Sequence, residues 1–166
     1  MLANPLSLGL LVVSMALALP MSRATAAPVI GEPMPAFTAT TVAGDPFDLA
    51  KLRGKVVLIH YWATWCEPCR HEMPWFDTLY RRYREQGLEI VAISIDRGAD
   101  IETARKLASS WGYPSVVAPG VTVNELGRPT GVPMTYVIDT NGILRDTFNE
   151  TTDKLFADVV LPMLPK

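Results

Sequence analysis

The amino-acid sequence predicts an α/β fold in a single domain. Two apolar runs, at 56–61 and 88–95, have the length and composition of buried strands, and a helix-forming segment lies between them. The chain has 166 residues and is 49% hydrophobic, which suits one domain with a sizeable core. Its net charge of -2 gives no basic footprint for nucleic acid, so no nucleic-acid partner is expected.

The N-terminal residues form a candidate targeting segment. Residues 6–19 are apolar, Pro20 interrupts them, and Ala24-Thr25-Ala26 supplies the small residues that a signal peptidase reads. We therefore expect a signal peptide at 1–26 and a mature domain at 27–166. No Lys or Arg precedes the apolar run, so an uncleaved membrane anchor is the alternative, although the run is short for a span. Either form places the domain outside the cytoplasm, in the periplasm or an equivalent compartment.

The first half of the mature chain is predicted to run from short elements to a long helix. A β-hairpin and a short helical turn come first, at 37–41, 44–47 and 48–52. The buried strand at 56–61 then leads into a helix that opens at Pro68 and ends near Gln86, where Gly87 supplies the C-cap.

The second half is predicted to alternate again between strands and helices. A buried strand, a helix capped by Asp100, a short strand and a turn of helix follow in order, at 88–95, 101–111, 113–118 and 123–126. Two strands at 134–139 and 143–148 flank Asn141-Gly142, a strong hairpin signal. A terminal helix is expected to start at Thr151 or Thr152 and to end before Pro165.

The only two cysteines form the motif Cys66-Glu67-Pro68-Cys69 where the strand turns into the helix. Unpaired N–H groups and the positive end of the helix dipole favour an anion there, so the first thiol can ionise to the nucleophile of thiol–disulfide exchange. Two cysteines on one turn can also close on each other. The motif therefore predicts a reversible two-electron dithiol.

Two structural readings of the cysteines are less favoured. A structural disulfide across so short a loop would remove little chain entropy. A zinc site would need four ligands, whereas the nearby supply is two cysteines and His71. The strand–CxxC–helix context favours redox chemistry over both.

Each residue of the motif has an expected role. Cys66 is the expected attacking thiol because it lies at the exposed end of the helix, and Cys69, one turn inside, resolves the mixed disulfide. Pro68 suits the first turn, where its missing N–H would be unpaired, and makes the turn rigid. Glu67 places a carboxylate between the thiols, which opposes thiolate formation and favours a more reducing couple. The alternative for Glu67 is an exposed acid without redox effect.

Further motifs support a family resemblance. Residues 62–69 read Trp-Ala-Thr-Trp-Cys-Glu-Pro-Cys, Pro74 follows, and 131–135 reads Gly-Val-Pro-Met-Thr. With these motifs the chain resembles the thioredoxin superfamily, and specifically the TlpA/ResA-like extracytoplasmic thiol–disulfide oxidoreductases, from about Pro33 onward. The resemblance implies a thioredoxin fold: a mixed central sheet flanked by helices, an N-terminal β-hairpin, and an insertion between the central strand–helix units.

The resemblance also implies roles for Glu72 and His60. Glu72, three residues after Cys69 and on the same helical face, matches the glutamate that in ResA-like proteins tunes or relays protons for the thiols. The alternative is a surface glutamate. His60 stands six residues before Cys66, where thioredoxin has a buried acid. It is either a satisfied core residue or a proton acceptor near Cys69, and this departure puts the simple thioredoxin relay in doubt.

The substrate-binding residues are expected on the opposite loop and beside the thiols. Val132-Pro133 matches the cis-proline loop of the superfamily. A cis bond at Pro133 would leave the backbone N–H and C=O of Val132 free to pair with an extended substrate segment, whereas an ordinary loop proline is the alternative. Trp62 and Trp65 flank the thiols and are expected to form an apolar docking rim.

These observations predict an exported thiol–disulfide oxidoreductase that reduces disulfides in other proteins. By resemblance, its electrons come from a membrane-embedded thiol transporter. Its substrates are then apocytochrome c haem-attachment cysteines or the cysteines of a copper-site assembly protein. We expect a monomer that needs no metal, nucleotide or organic cofactor besides the redox-active Cys66–Cys69 pair.

Three other functions fit parts of the pattern. A periplasmic dithiol oxidant of the DsbA type needs a strongly stabilised thiolate, against which Glu67 and Pro68 argue. A thiol peroxidase usually has a threonine three residues before its nucleophile, where this chain has Ala63. A non-enzymatic Cu(I) carrier would use both cysteines as soft ligands, with His71 as a third.

Overall fold

The structure is a computed structural model that describes residues 27–166, so the expected signal peptide at 1–26 lies outside the described residues. The strands are β1 (Phe37–Thr40), β2 (Pro46–Asp48), β3 (Val56–Trp62), β4 (Leu88–Ser94), β5 (Ser115–Val116), β6 (Val121–Asn124), β7 (Met134–Ile138) and β8 (Leu144–Phe148). The helices are α1 (Glu67–Tyr83), α2 (Asp100–Ala108) and α3 (Asp153–Leu155), and α3 continues as a π-type turn at Phe156–Val160 and a 3-10 turn at Leu161–Met163. Within residues 27–166, no helix combines the length and the hydropathy that crossing a membrane requires.

The central sheet is mixed, with the strand order β5-β4-β3-β7-β8. β3 and β4 are parallel and are connected by α1, as two apolar runs separated by a helix predict. β7 lies antiparallel to β3 on its other side and pairs Thr135 with His60. β8 returns antiparallel to β7 after the Asn141-Gly142 turn, as the sequence predicts. This sheet confirms the α/β class and the mixed strand arrangement.

A second, smaller sheet contains the N-terminal hairpin. Its strand order is β2-β1-β6, with β1 antiparallel to both neighbours. The hairpin predicted at 37–41 and 44–47 is thus confirmed. The short helical turn that follows it is also present, at Leu49–Leu52, because the side chain of Asp48 accepts a hydrogen bond from the N–H of Ala50.

Alternate residues of β3 enter two separate core clusters. The even-numbered residues, such as Leu58, pack with α1 and α2 residues that include Phe76. The odd-numbered residues, such as Ile59, pack with the hairpin side of the molecule, which includes Phe37. Because side chains alternate along a strand, His60 faces α1. The active-site helix and His60 therefore share one side of the sheet.

The predicted helical turn at 123–126 is wrong. This part of the chain forms β6, which pairs with β1. The first three residues of β6 are β-branched, which favours an extended backbone, and β1 offers them an open edge. Asn124 ends the strand because its side-chain oxygen accepts a hydrogen bond from the N–H of Leu126. With α2 and β5, β6 occupies the segment between β4 and β7 where the resemblance implies an insertion.

The helix predicted at 101–111 is present but differs at both ends. Asp100 lies in its first turn and does not cap it, because Ala99 occupies the N-cap position. An acid in that turn still interacts favourably with the helix dipole. The helix ends at Ala108, because the hydroxyl groups of Ser109 and Ser110 donate to carbonyls of the last turn.

One strand is shorter than predicted, whereas one end of each of two helices lies where the sequence predicts it. The strand predicted at 113–118 is limited to the two residues of β5, because prolines, which lack an N–H, stand on either side of it at 114 and 119. The terminal helix begins as predicted, with Thr152 as N-cap accepting from the N–H of Leu155. The active-site helix passes through a 3-10 turn to Gly87, whose positive φ makes it the C-cap that the sequence predicts.

Candidate active site

The two cysteines are joined by a disulfide at the N-terminus of α1. β3 ends at Trp62, a short loop follows, and Cys66 is the N-cap residue of α1. The N–H of Cys69 donates to Sγ of Cys66 at 3.3 Å, and the Cα atoms of the two cysteines are 5.3 Å apart. The N–H groups of the first turn and the positive end of the helix dipole therefore lie at the Cys66 sulfur, where they stabilise a thiolate.

The two cysteines differ in solvent access. Cys66 is 4% exposed, whereas Cys69 is fully buried. Cys66 is the outer of the two cysteines, as expected. It is not at an exposed position, however, because it is itself almost buried. This order favours Cys66 for attack on a partner and Cys69 for resolution, and the two roles stay predictions.

Asp96 holds the loop before the disulfide, and no motif in the sequence marks this residue. Its carboxylate accepts hydrogen bonds from the N–H of Thr64 at 2.9 and 3.1 Å and from the Thr64 hydroxyl at 2.7 Å. The hydroxyl of Ser94 donates to the same carboxylate at 2.8 Å. Asp96 thus fixes Thr64, which precedes Cys66 by two residues. The one signal for it is its position just past a central parallel strand, at the edge where α/β sheets place their sites.

The two tryptophans beside the motif lie in opposite environments. Trp65 is 65% exposed, which suits the predicted docking rim. Trp62 is fully buried, so its predicted place in that rim is wrong. Trp62 is the last residue of β3 and continues the even-numbered face of that strand into the core.

Glu72 is mostly covered by neighbouring residues, which disfavours the surface alternative. Its side chain is 10% exposed, and its Oε1 accepts a hydrogen bond from the N–H of Thr151 at 2.7 Å. Its Oε2 is buried without a hydrogen-bond partner among the described residues. Burial raises the pKa of Glu72, the N–H of Thr151 partly opposes the shift, and the charge of Glu150 reinforces it. Glu72 therefore exchanges its proton closer to neutral pH than a free glutamate does.

His60 is fully buried on the face of β3 that α1 covers. Its Nδ1 lies 3.1 Å from Oγ1 of Thr135 and 3.9 Å from Oε2 of Glu72. Its ring centroid is 4.6 Å from that of Phe76. Burial lowers the pKa of His60 to about 3, so the imidazole is neutral at neutral pH. Its Nε2 is buried without a partner in the described part of the chain, so His60 is not a fully satisfied core residue.

A cleft of about 510 Å³ opens beside the N-terminus of α1. Its walls come from α1, the proline loop and the segment after β8: Glu67, Pro68, His71, Glu72, Pro133, Asn149, Glu150 and Thr151. The Val132–Pro133 peptide bond is cis, as the motif predicts. Within residues 27–166, neither the N–H nor the C=O of Val132 takes part in a backbone hydrogen bond. The cleft therefore offers space for an extended segment, and the open backbone groups of Val132 stand next to Pro133 in its wall.

The remaining residues of the motif region are exposed. The side chains of Glu67 and His71 are 76% and 78% exposed, with 3.8 Å between His71 Nε2 and Glu67 Oε1. So exposed a pair contributes little to stability. Pro68 lies in the first turn of α1, as predicted.

Over residues 27–166, no group of three or more His, Cys, Asp or Glu side chains is placed to hold a metal ion.

The fold and the site together define a class of protein. A cysteine pair at the N-terminus of the helix that follows the central strand, opposite a proline loop, is the arrangement of thioredoxin-like thiol–disulfide oxidoreductases. The chain belongs to the AhpC/TSA family, whose model matches residues 30–147.

Individual relatives agree with this class. Thiol-disulfide oxidoreductase ResA of Geobacillus kaustophilus is 33% identical over 127 residues, which are 75% of this chain and 72% of that protein. The crystal structure of a thiol:disulfide interchange protein of the thioredoxin family from Chlorobium tepidum is 28% identical with a TM-score of 0.65, covering 83% of this chain and 99% of the other. The crystal structure of StoA from Bacillus subtilis, 18% identical with a TM-score of 0.60, covers 77% of this chain and 97% of its own and shows the fold alone.

These similarities confirm three predictions. The chain has the thioredoxin fold, it is similar to ResA-like proteins, and it is a thiol–disulfide oxidoreductase. The roles of the individual site residues, the substrate and the electron donor stay predictions.

Proposed function

We propose that this protein is an exported reductant of disulfides in other proteins. The carrying observation is the Cys66–Cys69 disulfide at the N-terminus of α1, whose outer residue, Cys66, is the more accessible of the two. The thiolate of Cys66 attacks a substrate disulfide, and a mixed disulfide forms as one substrate sulfur leaves. Cys69 then attacks Cys66, restores the enzyme disulfide and releases the second substrate sulfur.

The substrate is an extended segment of another protein. The open backbone N–H and C=O of Val132 support pairing with such a segment, and the neighbouring Pro133 lines the cleft beside α1. Trp65 supports docking because a large exposed ring next to the nucleophile contributes apolar contact area to a partner.

Glu67 supports the direction of electron flow. Its carboxylate stands between the two cysteines and disfavours the negative charge of a Cys66 thiolate, which destabilises the reduced form relative to the disulfide. A couple of this kind donates electrons more readily. The Glu67 side chain is exposed, so this effect is small, because solvent screens the charge.

The physiological partners rest on the resemblance to ResA-like proteins. We propose a bacterial extracytoplasmic site of action, electrons from a membrane-embedded thiol transporter, and substrates among apocytochrome c or copper-site assembly proteins. We further propose that the protein acts as a monomer without metal or organic cofactor.

A trapping experiment tests this function. Cys69→Ser leaves attack intact and prevents resolution, so covalent complexes with exported proteins should accumulate in cells and dissolve on adding dithiothreitol. Cys66→Ser is the matched control and should trap none. Equal trapping by both variants would show that the roles of the two thiols are misassigned.

The same experiment separates the rival functions. Wild-type protein in its dithiol form, incubated with the oxidised form of a partner found in this way, should return that partner to its thiol form if the protein is a reductant. A dithiol oxidant would instead leave its partners oxidised, and a Cu(I) carrier would yield no covalent complexes in either variant.

A further inference from the structure

A line of polar side chains connects buried His60 to the cleft. Nδ1 of His60 lies 3.1 Å from Oγ1 of Thr135, and that oxygen lies 3.4 Å from Oγ1 of Thr151. Thr135 is buried, whereas Thr151 is half-buried and lines the cleft. Three side chains from β3, β7 and the segment after β8 thus reach from the core to a solvent-facing surface.

We propose that the hydroxyl groups of Thr135 and Thr151 carry protons between His60 and the cleft, so that Cys69 can lose and regain its proton inside the core. This path rests on the exchange function proposed above. It gives that reaction a route for the Cys69 proton, which the reaction needs because Cys69 is fully buried and has no direct contact with water.

The placement of Cys69 relative to His60 follows from the helix. Cys69, Glu72 and Phe76 are spaced i, i+3 and i+7 along α1 and therefore share one face. His60 contacts this face at both Glu72 and Phe76. Cys69 lies one turn nearer the helix N-terminus on the same face and belongs to the same core cluster as Phe76. Among residues 27–166, Nε2 of His60 has no hydrogen-bond partner, so in the tautomer with its proton on Nδ1 it can accept a proton on the side of the sheet that holds Cys69.

The bond between His60 and Thr135 serves both tautomers of a neutral imidazole. With the proton on Nδ1, that N–H donates to Oγ1 of Thr135. With the proton on Nε2, Nδ1 accepts a hydrogen bond from the Thr135 hydroxyl instead. The same contact persists with reversed polarity, so His60 can take up a proton on Nε2 and release another from Nδ1 without becoming charged in the core.

The protons and electrons balance over the resolution step. The S–H bond of Cys69 breaks and its proton goes to Nε2 of His60, while the Nδ1 proton passes to Thr135, whose own proton passes to Thr151 and out to the cleft. The electron pair left on Cys69 forms the bond to Cys66. The bond between Cys66 and the substrate sulfur breaks, and the substrate sulfur leaves with that pair and takes a proton from solvent. Reduction of the enzyme disulfide reverses the path and restores the first tautomer.

Glu72 lies beside the path on α1, and its role is to hold Thr151 and not to carry the proton. Its Oε2 is 3.9 Å from Nδ1 of His60, which is too far for a hydrogen bond, whereas its Oε1 accepts the N–H of Thr151 and holds that residue in place. Glu150 acts on Glu72 through its charge and lines the cleft. A path through the two hydroxyl groups and a path through Glu72 therefore respond to different substitutions.

The test uses the reduced protein and glutathione disulfide as the probe. Formation and resolution of the mixed disulfide on Cys66 are followed by acid quench and mass spectrometry between pH 6 and 9, in H2O and in D2O. Thr135→Val keeps the side-chain shape without the hydroxyl, and Thr135→Ser, which keeps the hydroxyl, is its matched control. We expect Thr135→Val and Thr151→Val to slow resolution by at least about tenfold at neutral pH and to change its solvent isotope effect. Thr135→Ser should resolve at nearly the wild-type rate.

The attack step provides the internal control. In a Cys69→Ser background, attack by Cys66 should be unchanged by Thr135→Val, whereas a general loosening of the fold would slow both steps. If buried Thr135→Val fails to fold, the half-buried Thr151→Val decides. Wild-type resolution rates and isotope effects in the folded valine variants would overturn the path alone. A wild-type protein that forms no mixed disulfide would overturn the exchange function and the path together.

Discussion

Oε2 of Glu72 lies 3.9 Å from Nδ1 of His60, yet the two residues do not form an ion pair at neutral pH. Burial lowers the pKa of His60 to about 3 and raises the pKa of Glu72, so burial favours the neutral form of both groups. A neutral imidazole beside Glu72 avoids the desolvation that a buried ion pair would incur. The contact therefore places a neutral ring, and not a fixed positive charge, next to Glu72 on the helix face that also carries Cys69.

The first prediction concerns Glu72→Gln and stability. Because the pKa of Glu72 is raised in the native state, native Glu72 keeps its proton at pH values where Glu72 of the unfolded chain has lost it. The free energy of unfolding therefore falls as pH rises from the pKa of Glu72 in the unfolded chain through its pKa in the native state. Glutamine removes this loss and keeps an oxygen to accept from the N–H of Thr151. The oxidised variant should be more stable than the wild type at pH 8, with the difference shrinking toward pH 4. Urea unfolding at several pH values measures it, and parallel curves would contradict the raised pKa.

Glu72→Gln should also change the thiols. An ionised Glu72 opposes thiolate formation, so its removal should lower the pKa of Cys66 or Cys69 in the reduced protein and simplify the pH profile of exchange. Alkylation rates of the thiols across pH compare the two proteins. Superimposable profiles would show that Glu72 does not act on the thiols.

The second prediction concerns His60 and acid stability. Between pH 6.5 and about 3, the unfolded chain binds a proton at His60 that the native state excludes, so the native state should lose stability as pH falls through this window. A fully developed difference of one proton corresponds to about 1.4 kcal/mol per pH unit. His60→Asn should remove this part of the slope. His71→Asn, at an exposed histidine, is the matched control and should leave the slope unchanged; a wild-type slope in His60→Asn would mean that His60 is charged in the native state.

The third prediction concerns the reduction potential. With an acid between the cysteines, we expect a potential below about -200 mV, measured by equilibration with glutathione or dithiothreitol. Glu67→Gln should make the couple more oxidising by no more than roughly 30 mV, the equivalent of one pKa unit, because Glu67 is exposed. Glu85→Gln, at an exposed acid beyond the far end of α1, should leave it unchanged. A wild-type value near the roughly -120 mV of a strong oxidant would contradict the reductant function.

The fourth prediction concerns docking at Trp65. Trp65→Ala should lower kcat/KM for a protein disulfide by about tenfold, through KM, because an exposed aromatic ring beside the site supplies contact area to a large partner. Reduction of a small disulfide such as glutathione disulfide should be nearly unaffected. The control is Val123→Ala, because Val123 is also an exposed apolar residue but lies on β6. Equal losses for the large and the small substrate would place Trp65 in the chemistry instead of the docking surface.

The parts of the fold that the sequence predicts are those with strong local signals. Two apolar runs with a helix between them specify β3, α1 and β4, and Asn141-Gly142 specifies the hairpin of β7 and β8. The β-branched residues at the start of β6 are a local signal for a strand, but its pairing with β1, which lies far away in the sequence, has no local signal. The burial of Trp62, by contrast, could be predicted from the alternation of side chains along β3.

The motif predicts the centre of the site better than its surroundings. The cysteine pair, Pro68 and Pro133 carry their chemistry in short patterns. The environment of Glu72 does not, because the N–H that binds it belongs to Thr151, 79 residues further along the chain. Thr135 and Asp96 likewise contact residues that are distant in the sequence, His60 and Thr64, and the one sequence signal for Asp96 is its position just past β4.

The pairing of β1 with β6 sets an order on folding. The side chains of Thr38 and Thr122 meet across 84 residues of sequence. A chain that emerges from its N-terminus first therefore forms the β1–β2 hairpin long before β6 exists, and one edge of β1 stays open in the meantime. An open strand edge is a template for pairing with other chains, so the nascent protein is most prone to aggregate in this interval. The rate of synthesis and the supply of chaperones should consequently affect the yield of this protein.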